Sequence, residues 1–292
     1  MADWIQLGNA KVTRVVETVI EMSTDLFPST TVEAWQGYAE LLQPTFVDRV
    51  NGQWRAALQS WIIEVDGLTV VVDTGVGNSR DRPHFTPMDQ LSTDYPGALQ
   101  RAGVQRESVD VVVNTHLHTD HVGWNTHYVD GDWQPMFPNA RYLMPKLDYR
   151  YFSPDSPTTN DGMRIVFFDS ISPVADQTEL FEGDYQLSES LWLRPAPGHT
   201  PGSSAVWLDA GVGAVFVGDL THSPIQIPRP DDSCALDVNP KQAAATRKQV
   251  FAEASDHQAM VVPSHYPGRG GATLVARGEH FYVQRWLDLK SI

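Results

Sequence analysis

The stretch Val111 to Asn125, VVVNTHLHTDHVGWN, constrains this chain more than any other. Val111 to Val113 are β-branched and suit the end of a buried strand. His116, His118, Asp120 and His121 then follow within six positions. In extended backbone His116 and His118, two apart, project to one side, and Asp120 and His121 on the turn beyond can face a second point a few ångströms away. Imidazole nitrogens and a carboxylate are the ligand set that zinc and similar divalent ions accept. A single one of these histidines would suit a hydrogen-bonded loop equally well; four such groups together point to a metal.

Composition narrows the ligand chemistry. Cys234 is the single cysteine, which removes intramolecular disulfides and thiolate zinc sites, so a metal must sit on His, Asp or Glu. In PDDSCALD it is expected on an exposed loop without a basic partner, an unsuitable setting for a catalytic thiol. The formal charge of −15 repels a nucleic-acid backbone, and no Lys/Arg run offers a local exception. No segment reaches the roughly 20 apolar residues of a membrane span. The N-terminal stretch MADWIQLGNAKVTRVVETVI lacks a basic region followed by an apolar run. A cytoplasmic protein acting on a small molecule is the expectation, with a homodimer left open. Length and composition, 292 residues and 41% apolar, suit one large α/β domain over residues 1–292.

Along the chain, Ala10 to Ile20 alternates as a strand. Ala57 to Val65 and Leu68 to Asp73 read as a hairpin closed by Asp66-Gly67, a dipeptide that tolerates positive φ. Asp73 then stands at a strand end, as suited to capping a turn as to chemistry. Tyr95 to Ala102 reads as a helix closed by Gly103, Ala140 to Met144 as a strand, Lys146 to Phe152 as a helical turn, and Tyr185 to Leu193 as a single strand. Ser204 to Asp209 and Ala214 to Val217 form a second hairpin. Asn239 caps a helix from Pro240 to about Ala254. Ala259 to Pro263 is a strand that delivers His265, and a C-terminal helix is expected over Glu279 to Leu287. The aromatic stretch Glu21 to Trp54 is either a packed surface segment or a cover over a substrate. Together with Asn78–Thr93, Ser153–Asp176 and Pro224–Pro240 it is where substrate selection is expected.

Strand ends thus present His116, His118, Asp120, His121, His199, Asp219 and His265, with Asp73 upstream. The pattern THLHTDH, then the histidine of PGHTPGS, the aspartate of FVGD and the histidine of VPSH, resembles the metallo-β-lactamase-fold hydrolases from about Val12 to His265. The resemblance implies a four-layer αβ/βα sandwich, two mixed β-sheets face to face with helices outside and metals at one edge. His116, His118 and His199 would hold a first zinc, and Asp120, His121 and His265 a second. Asp219 would bridge both, and Asp73 would anchor the histidine loop. Iron, manganese or cobalt could replace the two zincs. A hydroxide held between two such ions is deprotonated near neutral pH and attacks an electrophilic carbon or phosphorus, with Asp120 at the reacting centre.

Within that family, true metallo-β-lactamases place cysteine or serine where Asp219 stands, which argues against β-lactam hydrolysis. The nucleic-acid-processing branch would need basic clamps that the charge balance denies. Glyoxalase-II-like thioesterases share the ligands but usually append a helical domain with basic residues. The iron-dependent dioxygenases resemble the HxHxDH segment yet use one metal. What remains is a lactonase, or a phosphotriester and aryl ester hydrolase like the methyl-parathion-hydrolase branch. Acyl-homoserine lactonases usually carry a tyrosine three residues after the bridging aspartate; here that position is His222, an Asp-x-x-His arrangement that looks closer to the latter branch. An imidazole there either assists the leaving oxygen or packs behind the site. His84, His127, His257 and His280 read as surface or packing residues, and Trp124 as core sooner than pocket wall.

Overall fold

A computed structural model describes residues 3–289. Its first sheet is built from β1 (Asp3–Leu7), β2 (Ala10–Met22), β3 (Trp54–Val65), β4 (Leu68–Val72) and β5 (Val111–Val113). A small separate hairpin, β6 (Thr126–Val129) and β7 (Asp132–Pro135), comes next, and β8 (Arg141–Pro145) and β9 (Thr178–Phe181) complete the first sheet. The second sheet runs in chain order through β10 (Tyr185–Gln186), β11 (Leu191–Pro195), β12 (Ser204–Asp209), β13 (Gly213–Gly218), β14 (Met260–Pro263), β15 (Ala272–Arg277) and β16 (His280–Trp286). Both sheets are mixed: β4, β5, β8 and β9 pair in parallel in the first, β13 and β14 in the second, and the other pairs are antiparallel.

The alternation of side chains along each strand makes the layers. Val70, Val72, Val111 and Val113 face inward and meet Leu193, Val206, Phe216 and Val262 of the opposite sheet. Val71 and Val112, one residue out of phase, face outward under Tyr95 and Leu99 of the helix Tyr95–Arg101. Val215, Val217 and Val261 do the same beneath Val250, Phe251 and Ala254 of the helix Pro240–Asp256. Strands buried on both faces read as continuous apolar runs, which is what VVV and MVV are.

The expected turns form as their residues demand. Asp66 and Gly67 take positive φ, 53° and 76°, at the β3–β4 hairpin. The Asn239 side chain accepts from Gln242 N and caps its helix.

Two elements differ from the expectation. The C-terminal helix is instead β16, paired antiparallel with β15 across a turn where Gly278 has φ 63°. HFYVQRW is rich in β-formers, and pairing with β15 buries Phe281 while its neighbours stay outside, a period of two. The expected strand Tyr185 to Leu193 is two antiparallel strands, β10 and β11. Its break is held from outside, because the Asp66 carboxylate accepts from Ser190 N at 2.8 Å and Ser188 Oγ at 2.6 Å.

β4, β5 and β8 end at the same edge as β11, β13 and β14. Hydrogen bonds tie these ends together, Ser204 N to Thr115 O at 2.9 Å between the sheets and Ser264 N to Gly218 O at 3.2 Å within the second. The residues following them therefore converge.

Candidate metal centre

Asp73, just past β4 with φ 56°, sits at the root of the site. Its carboxylate accepts from Thr115 N and Thr115 Oγ1, each at 2.8 Å, and from His121 Nδ1 at 2.8 Å. This sets the loop after β5 and turns His121 Nε2 inward. His199 and His265 are oriented in the same way. His199 Nδ1 donates to Asp237 Oδ1 at 2.9 Å and His265 Nδ1 to the Ala57 carbonyl at 2.9 Å. With one ring nitrogen held, the other is free for a ligand.

Two groups result among the described residues. His116, His118, His199 and Asp219 form one, and Asp120, His121 and His265 the other. His118 Nδ1 lies 3.2 Å from His116 Nε2 and 2.9 Å from His199 Nε2. Nitrogens about 2.0–2.1 Å from one tetrahedral ion stand about 3.3 Å apart, so the spacing is that of a shared cation. Asp219 is central: Oδ2 is 3.3 Å from His199 Nε2, and Oδ1 is 3.3 Å from His121 Nε2 and 3.0 Å from His265 Nε2. The buried atoms His121 Nε2 and Asp219 Oδ1 nonetheless have no hydrogen-bond partner. An orphaned buried polar atom costs about 1–3 kcal/mol, and a divalent cation between imidazoles and carboxylates removes that cost.

Charge follows the same division. Burial and the neighbouring imidazoles push His116 and His118 well below the ordinary histidine range, which keeps them neutral. Burial also opposes charge on His121, yet Asp219, Asp73 and Asp120 around it raise it well above that range. Burial would raise Asp219, but His265, His121 and His222 hold its carboxyl well below the usual range. Asp219 is thus an anion that draws positive charge from every side.

His222 belongs to this centre. Buried at 1% exposure, it places Nε2 3.3 Å from Asp219 Oδ2, with neither ring nitrogen hydrogen-bonded. Phe27 and Trp54 meet its ring edge-on, and His265 stacks on it. Cys234 corrects the expectation of an exposed thiol without a basic partner. It is 1% exposed, since Asp237 Oδ2 takes its backbone N–H and folds the loop inward, and it lies beside His222. Asp237 itself carries no spacing signal, standing 38 residues from His199.

A cavity of about 330 Å³ opens on His118, Asp120, Asp219, His222 and His265. All four segments expected to select substrate line it, Met22 and Trp54, Phe85 and Met88, Met163 and Val166, Leu236 and Val238. Arg82 is at its wall, but its guanidinium is committed to Asp169 at 2.8 and 2.9 Å. His84 also lines it, beyond the surface role expected. His257 and His280 are exposed, and His127 lies against Arg106. Trp124 is core, 4% exposed, with Nε1 donating to Glu17 at 2.7 Å.

The model of the metallo-β-lactamase superfamily matches residues 58–265, most of the chain and all of the ligand groups. The chain belongs to the metallo-β-lactamase superfamily. An N-acyl homoserine lactonase of Bacillus sp. is 20% identical over 164 residues, 51% of this chain and 57% of that protein, so the match spans little more than half of the relative. Among solved structures, the hydrolase AbOPH of the beta-lactamase superfamily superposes with a TM-score of 0.79 at 21% identity, covering 98% of this chain and 96% of that one. AidC, a dizinc quorum-quenching lactonase in complex with a homoserine product, gives 0.79 at 19% identity over 98% and 96%.

The turn that carries Asp120 and His121 is testable through its packing. Gly123 follows the turn carrying Asp120 and His121 and donates to Gly75 O at 2.7 Å. A Cβ there would fall 1.9 Å from the Val76 carbonyl carbon and oxygen, both backbone. Gly123→Ala is expected to destabilise by about 1–3 kcal/mol or more, read as a lower denaturant midpoint.

Proposed function

We propose that this metallo-β-lactamase superfamily member is a dinuclear zinc hydrolase of small, uncharged esters, and that its substrates are lactones carrying an apolar substituent. The observation that carries the reading is the cavity: an apolar, aromatic- and methionine-lined space opens directly on both ligand groups and holds no uncommitted guanidinium for an anionic handle. The likeness to a homoserine lactonase and to AidC supports the lactone.

His116, His118 and His199 would hold one ion, Asp120, His121 and His265 the second, with Asp219 between them. When bound, the ions supply Lewis acidity and a nucleophile at neutral pH. The chain contributes the rest. Trp54, Phe152 and Met163 exclude water and seat the apolar substituent. Asp120, on the cavity wall, orients the attacking side. His222 offers Nε2 toward the oxygen that leaves when the ring opens, and stacking on His265 fixes its plane.

Aryl esters and phosphotriesters are the second reading, favoured by His222 and by the aromatic wall of Trp54, Phe85 and Phe152. A screen of metal-loaded protein against acyl lactones, aryl esters, phosphotriesters, thioesters and β-lactams tests the choice. Highest kcat/KM on an acyl lactone is the expected result, and preference for a β-lactam or a charged thioester contradicts it.

A further inference from the structure

The three histidines of the first ligand group come from two segments. His116 and His118 follow β5, whereas His199 lies in the turn after β11, and their geometry depends on what holds those segments together. Directly after β8, the short helix Lys146–Tyr151 points Asp148 into the interior, fully buried. Its carboxylate bridges the two segments. Oδ2 accepts from Leu117 N, between the two ligand histidines, at 3.3 Å and from Thr200 Oγ1, next to His199, at 2.7 Å. Oδ1 accepts from Gly202 N at 2.6 Å. Gly202 is small because of this approach: a Cβ there would lie 2.6 Å from Asp148 N and 2.7 Å from Oδ1.

No described lysine or arginine pairs with Asp148; its charge is met by two backbone N–H groups and a hydroxyl. Burial outweighs those donors and leaves the carboxyl pushed up to about 6. A buried anion whose partners all lie in ligand-bearing segments has a narrower purpose than filling the core. The second ligand group takes its support elsewhere, from Asp73 at His121 and from the Ala57 carbonyl at His265.

We infer that Asp148 is a positioning residue that sets the spacing of His116, His118 and His199, so that the cation affinity of this group alone depends on it. The inference rests on the metal centre of the proposed function. Apoprotein of the full chain is titrated with Co²⁺ in two backgrounds, His265→Ala, which cripples the second group, and His199→Ala, which cripples the first. Asp148→Asn keeps the side chain's size but turns a donor toward one of its three partners. It is expected to weaken Co²⁺ binding about 10- to 100-fold in the His265→Ala background and to alter the cobalt d–d absorption there. In the His199→Ala background the affinity should stay within about twofold. Thr200→Val, which removes one anchor and leaves the carboxylate, should reproduce a smaller loss with the same selectivity, and it carries the test if Asp148→Asn does not fold by circular dichroism. Equal losses in both backgrounds, or none in either, overturn the inference while leaving the metal centre standing. Failure of the parent chain to bind Co²⁺ at all overturns both.

Discussion

Replacing His222 with alanine is expected to slow the opening of an alkyl lactone by about 10²- to 10⁴-fold in kcat, the usual size of general acid–base assistance, with metal content unchanged. The imidazole lies on the cavity wall, buried, with both nitrogens unengaged and Nε2 3.3 Å from Asp219 Oδ2. Burial opposes charge on it, but Cys234 and Asp219 beside it raise it well above the ordinary histidine range, and an imidazole N–H there is a donor for a leaving oxygen. An alkoxide leaving group is strongly basic and needs that proton, whereas a nitrophenolate leaves without one. The loss on a nitrophenyl ester should therefore be much smaller than on the lactone. Steady-state kcat for both substrates in the two proteins checks this. A uniform loss, or one accompanied by loss of metal, would make His222 a packing residue.

Asp219→Ala is expected to reduce bound metal below one ion per chain and to abolish activity, a larger loss of metal than His265→Ala causes. Two dications about 3.5–4 Å apart repel by on the order of 15 kcal/mol at an effective dielectric of about 20. Asp219 is the anion whose two oxygens face both groups, Oδ2 toward His199 and Oδ1 toward His121 and His265. Without it the positive charges face one another uncompensated. His265→Ala removes one ligand from one group and leaves the other whole. Elemental analysis of the two variants at equal free metal separates the cases, and equal metal loss would contradict the bridge.

Much of this centre is legible in the sequence because its signals are local. His116, His118, Asp120 and His121 share one turn, and Asp73, Asp219 and His265 each follow an apolar run short enough to read as a strand end. Since parallel strands bring their ends to one edge, those residues could be gathered without knowing the pairing. What stayed hidden depends on partners distant in the chain. Asp237 and Asp148 act on His199 and on its turn from 38 and about 50 residues away, with no spacing rule to betray them. Cys234 is buried because its loop is pulled in by Asp237, and PDDSCALD alone looks exposed. Tertiary context also decided the errors of secondary structure. HFYVQRW pairs with β15 and becomes a strand, and Asp66, from the opposite sheet, stabilises the turn that breaks Tyr185 to Leu193.

Counting ions decides whether the protein is a two-metal hydrolase. Elemental analysis of metal-saturated, gel-filtered protein, with lactone hydrolysis followed during chelation, should find close to two divalent ions per chain and activity that disappears with them and returns on adding zinc. One tightly held ion at saturation, or lactone hydrolysis that survives complete chelation, would contradict it.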